Sequence, residues 1–383
     1  MMKKTFCCGL VAVSLTLPVC QLSQAEVMSP SNIKISGFGS VVGNVTNNSD
    51  ADYLRTAKAN NEPDFVRETF IGIQFNVPYS DEFEFITQFT GDYKDDTYSI
   101  NAEWIVGKWR VNDKLTVRGG RFILPLLAQS DTVNVNYAHP WIRNPAEVYE
   151  MLPISNFNGV DLIATLPVGD SFVILQPFYG ATELQSPYGF AGVVTTDIDS
   201  LKGLKIRYET DNHSFNIGAM KTAVSMRDPG VVTGLVGMNV LPSAVLISRA
   251  LTNEPLDFYS AGWIGHFGNF EVYSEVSRRD LDNPAVSAID GAYVTGLYNI
   301  GKFAPSLTLA KIKTERGKNQ TQDTATLSLR QSLLPGASLK YELQYGKLDD
   351  SPNNRGLFAL SNPATAKFPD DVLMFSVGLD VSF

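Results

Sequence analysis

Cysteine is nearly missing from this 383-residue sequence: Cys7, Cys8 and Cys20 stand close to its start and none follows. Disulfide staples and thiolate metal sites are thereby excluded for everything downstream. Long apolar runs are missing as well. After the N-terminal stretch, no segment approaches the roughly 20 uninterrupted apolar residues that a membrane-spanning helix requires. Histidine occurs only at His139, His213 and His266, with no pair at metal-ligand spacing and no nucleophile marked out beside any of them. No enzyme and no metal site are expected. Clusters of Lys and Arg are lacking too, and the formal net charge is −9. Neither nucleic acid nor an anionic membrane surface is an expected partner. Asp95-Asp96, Asp280/Asp282 and Asp349-Asp350 read as solvated loops. Gly119-Gly120, with no helix signal behind it, reads as a strand bend rather than a phosphate cradle, so no cofactor is expected.

The N-terminus has another character. Lys3 and Lys4 precede an apolar stretch from Phe6 to Val19 containing Pro18, and Leu22-Ser-Gln-Ala25 puts small residues where a signal peptidase reads. Residues 1–25 are expected to be a cleaved secretory signal. A lipoprotein signal ending at Cys20 fits less well, because Leu17-Pro-Val-Cys20 places Val where a small residue is wanted. Residues 26–383 then form the exported chain, which without Lys3 and Lys4 carries a formal charge of −11.

What is plentiful is alternation. Hydrophobic residues make up 44% of the chain and aromatics 11%, with 30 glycines. At the C-terminus Leu373, Phe375, Val377, Leu379, Val381 and Phe383 alternate with Met374, Ser376, Gly378, Asp380 and Ser382, the period-2 signature of a strand with one oily face. Upstream, Thr69 to Val77 turns through Pro78-Tyr-Ser-Asp81 into Phe83 to Phe89. The same unit recurs six more times: Ile100–Val111 with Leu115–Phe122, Val160–Leu166 with Phe172–Gly180, Leu204–Thr210 with Phe215–Lys221, Phe258–Phe267 with Phe270–Ser277, Ile289–Ile300 with Ser306–Lys313, and Thr324–Leu333 with Leu339–Lys347. Turns this short force antiparallel pairing. A first strand from Ile33 to about Val45 and a last from Val372 to Phe383 bring the count to sixteen. An even number with both ends on the short-turn side suits a closed transmembrane antiparallel β-barrel.

Connections between hairpins are longer, none exceeding the one that runs from Ile123 to Asn156. Aromatics gather beside the short turns, at Phe75, Tyr79, Phe83, Trp109, Phe172, Phe215, Phe267, Phe270 and Phe303, as an interfacial girdle would. On the inward parity stand ten acids (Glu68, Glu82, Glu84, Glu103, Asp161, Glu209, Glu271, Glu275, Glu342, Asp380) and six bases (Arg118, Lys205, Arg207, Arg279, Arg330, Lys340). Arg110 and Lys311 fall on the lipid-facing parity. About sixteen strands enclose a lumen wide enough for water.

The alternating chain end that closes on Phe383 resembles the C-terminal signature of outer-membrane barrels, which implies recognition by the barrel assembly machinery. A long third connection between the fifth and sixth strands, with Gly119-Gly-Arg-Phe122 before it and Asn158-Gly-Val-Asp161 after it, resembles the general Gram-negative porins. That resemblance implies a sixteen-stranded barrel in the cell outer membrane among its lipids, with short periplasmic turns and long extracellular loops. It further implies a homotrimer, and a third loop, 123–156, folded into the pore as its constriction. The segment Asp131 to Glu150 departs from the acidic Pro-Glu-Phe type of loop found in the best-known members.

Fixed charges in a narrow waist act on ions with little screening. The expected constriction residues are Asp131, Glu147 and Glu150 on the loop, Arg143 opposing them, and Arg118 as the wall partner. Arg121 lies nearer the loop but on the opposite parity. The function this suggests is an outer-membrane channel for passive diffusion of ions and small hydrophilic solutes, with weak cation preference from the excess of inward acids. A substrate-specific channel using Tyr137, Trp141 and Tyr149 is the alternative, although packing of the loop against the wall is the simpler use of those rings. A structural or adhesive barrel without transport is a third possibility, and it leaves the long third loop without a reason.

Overall fold

The structure is a computed structural model that describes residues 33–94, 97–152, 154–187, 193–227, 252–281, 288–316, 318–351, 354–359 and 368–383. The signal segment 1–25 lies outside the described residues, as do parts of the connections expected at Ala181–Ser200, Thr222–Pro255, Arg278–Ala288 and Leu348–Asp371.

Sixteen strands form one closed antiparallel barrel: β1 Lys34–Thr46, β2 Phe70–Pro78, β3 Phe83–Lys94, β4 Thr97–Asn112, β5 Leu115–Ile123, β6 Asn156–Val168, β7 Ser171–Pro187, β8 Val193–Glu209, β9 His213–Arg227, β10 Glu254–Phe267, β11 Phe270–Leu281, β12 Ala288–Tyr298, β13 Phe303–Arg316, β14 Lys318–Leu334, β15 Ala337–Leu348 and β16 Asp371–Ser382. Each strand pairs with its sequence neighbours, and β1 pairs with β16 from Phe38↔Ser382 to Thr46↔Met374. Closure satisfies every ladder and leaves no edge strand. Phe383 completes the seam, exchanging backbone hydrogen bonds with Gly37 at 2.9 Å. Its ring lies over Gly37, in space that a Cβ there would fill.

All seven expected hairpins are present, and the short turns share one rim. Outward positions carry the exposed apolar residues, among them Val41, Ile71, Phe85, Ile105, Val160, Ile217, Val276, Leu309, Leu327 and Phe375. Inward positions carry buried polar ones such as Ser40, Gln88, Arg118, Asp161, Lys205, Glu275, Thr308, Glu342 and Ser376. The alternation is therefore oily outside and polar inside, the inverse of a soluble β-sandwich.

Two expectations are corrected. Strands β7, β8 and β9 run well past the expected ends at the long-loop rim, because irregularities at Gly180/Thr182 and Asp199/Lys202 break the period that would have revealed them. Arg110 faces inward: a bulge between Gln88 and Phe89 of β3, opposite Glu103 of β4, shifts the parity, and Arg110 then pairs with Thr116, two residues from inward Arg118. Lys108, carried inward by the same shift, meets Glu84 at 3.1 Å. Lys311 does sit on the outer face, where it pairs with Asp323 of β14 at 2.9 Å, both more than half exposed.

Gly120 has φ of +136° and lies against the Ile105 carbonyl of β4, so a Cβ at this position would collide with backbone. Gly120→Val is expected to cost more than about 3 kcal/mol through strain and overpacking. Heat-dependent gel mobility of the refolded barrel should then shift to lower temperature, whereas an unshifted transition would refute the close approach.

Candidate functional site

Strand β5 ends at Ile123 and β6 begins at Asn156, and the chain between them folds into the barrel rather than over it. Its descending arm meets β8–β11. Lys205 donates to the Leu127 carbonyl at 2.7 Å, Ser260 to the Leu126 carbonyl at 2.7 Å, and the Ala128 N–H to Glu275 at 2.8 Å. The tip, with short 3-10 turns at Ser130–Thr132 and Asn136–Ala138, reaches the short-turn rim, where the Gly336 N–H donates to the Tyr137 hydroxyl at 3.3 Å. Its returning arm climbs along β12–β16 and ends in a single helical turn, α1 Ala146–Tyr149.

This arrangement differs from the open lumen expected for sixteen strands. Around the circumference, inward side chains at mid-height are less than 10% exposed, from Ser40 and Gln88 through Asp161, Gln176, Asn216 and Ser260 to Thr295, Ser328 and Ser376. Two packings cause this. Loop residues Leu124, Leu126, Met151 and Leu152 join an apolar cluster with inward Trp104, Phe157, Phe178, Leu201, Met220 and Phe258. At the long-loop mouth, Tyr53, Leu54, Ala57 and Ala59 from the first loop pack with Ala146, Phe358, Val372 and Met374. The waist is consequently narrow.

The five residues expected at the constriction occupy different settings. Asp131 is exposed and meets Arg207 of β8 at 3.4 Å, and Arg207 also holds Glu209 at 2.9 Å. Arg143 is mostly buried and clasps the first loop and the wall, donating to both carboxylate oxygens of Glu68 at 2.7 Å, to Glu342 at 3.3 Å and to Ser376 at 2.9 Å. Burial alone would lower its pKa, but the facing carboxylates prevail and raise it. Glu147 is 1% exposed, wedged where its backbone crosses Gly291 of β12, and burial raises its carboxyl pKa. Glu150 accepts from the Arg55 N–H at 3.1 Å and ties the third loop to the first.

Arg118 is not the partner of an acidic loop. Its Nε donates to Asp161 of β6 at 2.9 Å, and its guanidinium lies 5.3 Å from the Trp104 ring centre and 4.9 Å from that of Phe122. Strand-to-strand pairing won because Asp161 stands directly opposite Arg118 in the ladder. Of the five expected residues, Asp131 is the one open to solvent in the way a selectivity charge must be, beside Arg207 of the wall.

The loop aromatics pack against the wall: Trp141 Nε1 donates to Thr308 at 3.0 Å, and the Tyr149 hydroxyl to Glu275 at 3.0 Å. Two residues that matter here had positions but no partners legible in the sequence. Lys340 donates to the carbonyls of Asn136 and Trp141 at 2.6 and 2.7 Å while pairing with Asp380 at 2.7 Å. His139, 1% exposed, touches Thr132 and Trp141 in the tip. Among the described residues no group of three His, Cys, Asp or Glu side chains is arranged to hold a metal ion.

No protein-family model matches the sequence, and no curated protein matches it. Solved structures do share its fold. The anion-selective porin of Comamonas acidovorans superposes with a TM-score of 0.58 at 11% identity, covering 92% of this chain and 99% of that one. The outer membrane channel DcaP of Acinetobacter baumannii gives 0.57 at 11%, covering 93% and 99%. OmpF of Salmonella typhi, in complex with daunomycin, gives 0.57 at 10%, covering 92% and 97%. At such identities the likeness establishes the architecture, a sixteen-stranded barrel of the outer-membrane porin type.

Proposed function

We propose that this chain forms a channel in the outer membrane through which ions and small hydrophilic solutes diffuse passively. The observation that carries the reading is the inner face: a closed barrel, apolar outside, lined within by ionised side chains including Lys108, Glu84, Arg207, Glu209, Asp131 and Glu271. A barrel serving only as a scaffold has no need of a charged interior. The narrow waist favours, as a second reading, a channel selective for small solutes. Short turns face the periplasm and long loops the exterior, as in bacterial outer-membrane barrels, and three copies associate, as the sequence resemblance to general porins implies. Phe383 offers its exposed ring to the assembly machinery.

No enzymatic role goes with this reading. His213 packs among outward Phe215, Trp263 and Phe267, His266 faces inward Glu271, and His139 is sealed in the loop, so the histidines share no site.

Ion preference is weakly cationic. With Lys108 and Arg110 added to the inward bases, the acid excess falls from four to two. Planar-bilayer recordings under a salt gradient test both statements. Discrete conductance steps with a small cation-selective reversal potential are expected. Asp131→Asn should move that potential toward anions and Arg207→Gln toward cations, by several millivolts each, about the scale of a single partly screened charge. Absence of conductance steps would refute the channel.

A further inference from the structure

We propose that the tip of the third loop, residues 131–141, is an acid-released plug whose trigger is His139. The inference rests on the channel reading for what the tip obstructs. The ring of His139 is buried against Trp141, with centroids 6.1 Å apart and planes 27° from parallel. Its Nε2 is 2.7 Å from the Thr132 carbonyl and can only donate to it, so Nδ1 must be the bare nitrogen. That Nδ1 is buried and has no hydrogen-bond partner. A proton arriving at His139 therefore lands where nothing accepts it.

The surrounding charges do not compensate. Strands β1 and β16 pack directly against this part of the tip, β1 bringing the uncharged Ser40, and the charged groups acting on the imidazole are Arg330 from β14, Lys340 from β15 and Asp380 from β16. Two of the three are cations, and the single anion is already held by Lys340 at 2.7 Å and by the Ser40 hydroxyl at 2.7 Å. Arg330 in turn lies 5.1 Å from the centre of the Tyr137 ring. Protonation thus adds a third positive charge to a buried cluster whose only negative charge is engaged.

The same residues hold the tip in place. Lys340 grips the carbonyls of Asn136 and Trp141, on either side of His139, and Tyr137 accepts from the Gly336 backbone. A charge at His139 pushes directly on that clasp, while the barrel ladders, made by other groups, are untouched. The tip is the most exposed part of the loop, with Asp131, Thr132 and Ala138 at its surface. Release requires Val133 to quit the edge of the apolar cluster around Leu126 and Met151 and Trp141 to quit Val148 and Tyr293, while the buried members of the first cluster stay in place.

The sign follows from linkage. Burial holds the imidazole at about 4 in the seated tip, against an ordinary 6.5. A group whose folded pKa is depressed takes up protons on release, so the seat is fully stable above about pH 6.5 and weakens as the pH falls toward 4. Between pH 7 and pH 4 the balance moves toward release by a factor on the order of 100.

Hydrogen exchange of peptides spanning 131–141, read by mass spectrometry on the refolded full barrel and corrected for intrinsic rates, tests the switch without reference to transport. Protection in that segment should drop by about 100-fold at pH 4 relative to pH 7. His139→Gln, which cannot titrate, and His139→Phe, which keeps the ring stack, should both abolish the pH dependence. An acid response that persists in either folded variant, or none in the unaltered protein, overturns the proposal. Bilayer recordings at both pH values separate the two readings. Larger conductance in acid, lost in the variants, supports both. Acid-labile protection without conductance at either pH keeps the switch and sinks the channel.

Discussion

Arg143→Ala will loosen the third loop while leaving the barrel closed. The guanidinium is 13% exposed and serves two carboxylates, Glu68 at the end of the first loop and Glu342 on the wall, themselves 10% and 2% exposed. Removing it leaves two neighbouring acids, Glu342 buried and Glu68 nearly so, facing one another with no cation between them. Breaking a buried pair in this way costs about 3–5 kcal/mol, most of it the penalty of stranding the partners. That penalty falls on the seated loop, because the β1–β16 and β15–β16 ladders that carry the wall do not involve Arg143. Conductance should rise and become noisier, and thermal unfolding should begin at lower temperature. Arg143→Lys should recover only part of the effect, since an ammonium cannot serve Glu68 with two parallel bonds. Unchanged conductance and unfolding in Arg143→Ala would show that the clasp does not hold the loop.

Lys340→Met is expected to be comparably severe, with a partner test that isolates its cause. Lys340 is fully buried and serves Asp380, Asn136 and Trp141 together. Methionine fills similar volume but strands the Asp380 carboxylate, at a cost of about 3–5 kcal/mol. Adding Asp380→Asn removes the stranded charge, so the double variant should regain most of the lost stability, leaving only the two tip carbonyls without their donor. A melting series of the two single variants and the double variant reads the coupling directly. If the losses simply add, the ion pair is not what secures the tip.

Much of the architecture was legible in the residue order. Strand count, hairpin pairing, the two unequal rims and the outward apolar face all follow from period-2 alternation interrupted by short polar turns, and each is local in sequence. Legibility failed where the period failed. The bulge opposite Glu103 turned Arg110 inward, and the irregularities near Ser200, a residue with φ of 54°, hid the upper parts of β7 and β8. A one-residue insertion reverses every assignment beyond it, so no count of alternation could have placed those side chains.

The candidate site was legible only as a segment. Length and position singled out residues 123–156, and the charged residues inside it could be named. Their roles could not, because each depends on which strand lies opposite, and those partners are far away in sequence: Arg143 with Glu342, Trp141 with Thr308, Lys340 with Asn136. Sequence by itself determined that the chain closes into an oily-faced, sixteen-stranded barrel, since backbone hydrogen bonding in an apolar medium admits no open edge. Tertiary structure alone decided how the third loop is seated in the waist, that Arg118 belongs to Asp161, and that His139 is sealed beside Lys340, because contacts across a lumen obey no periodicity along the chain.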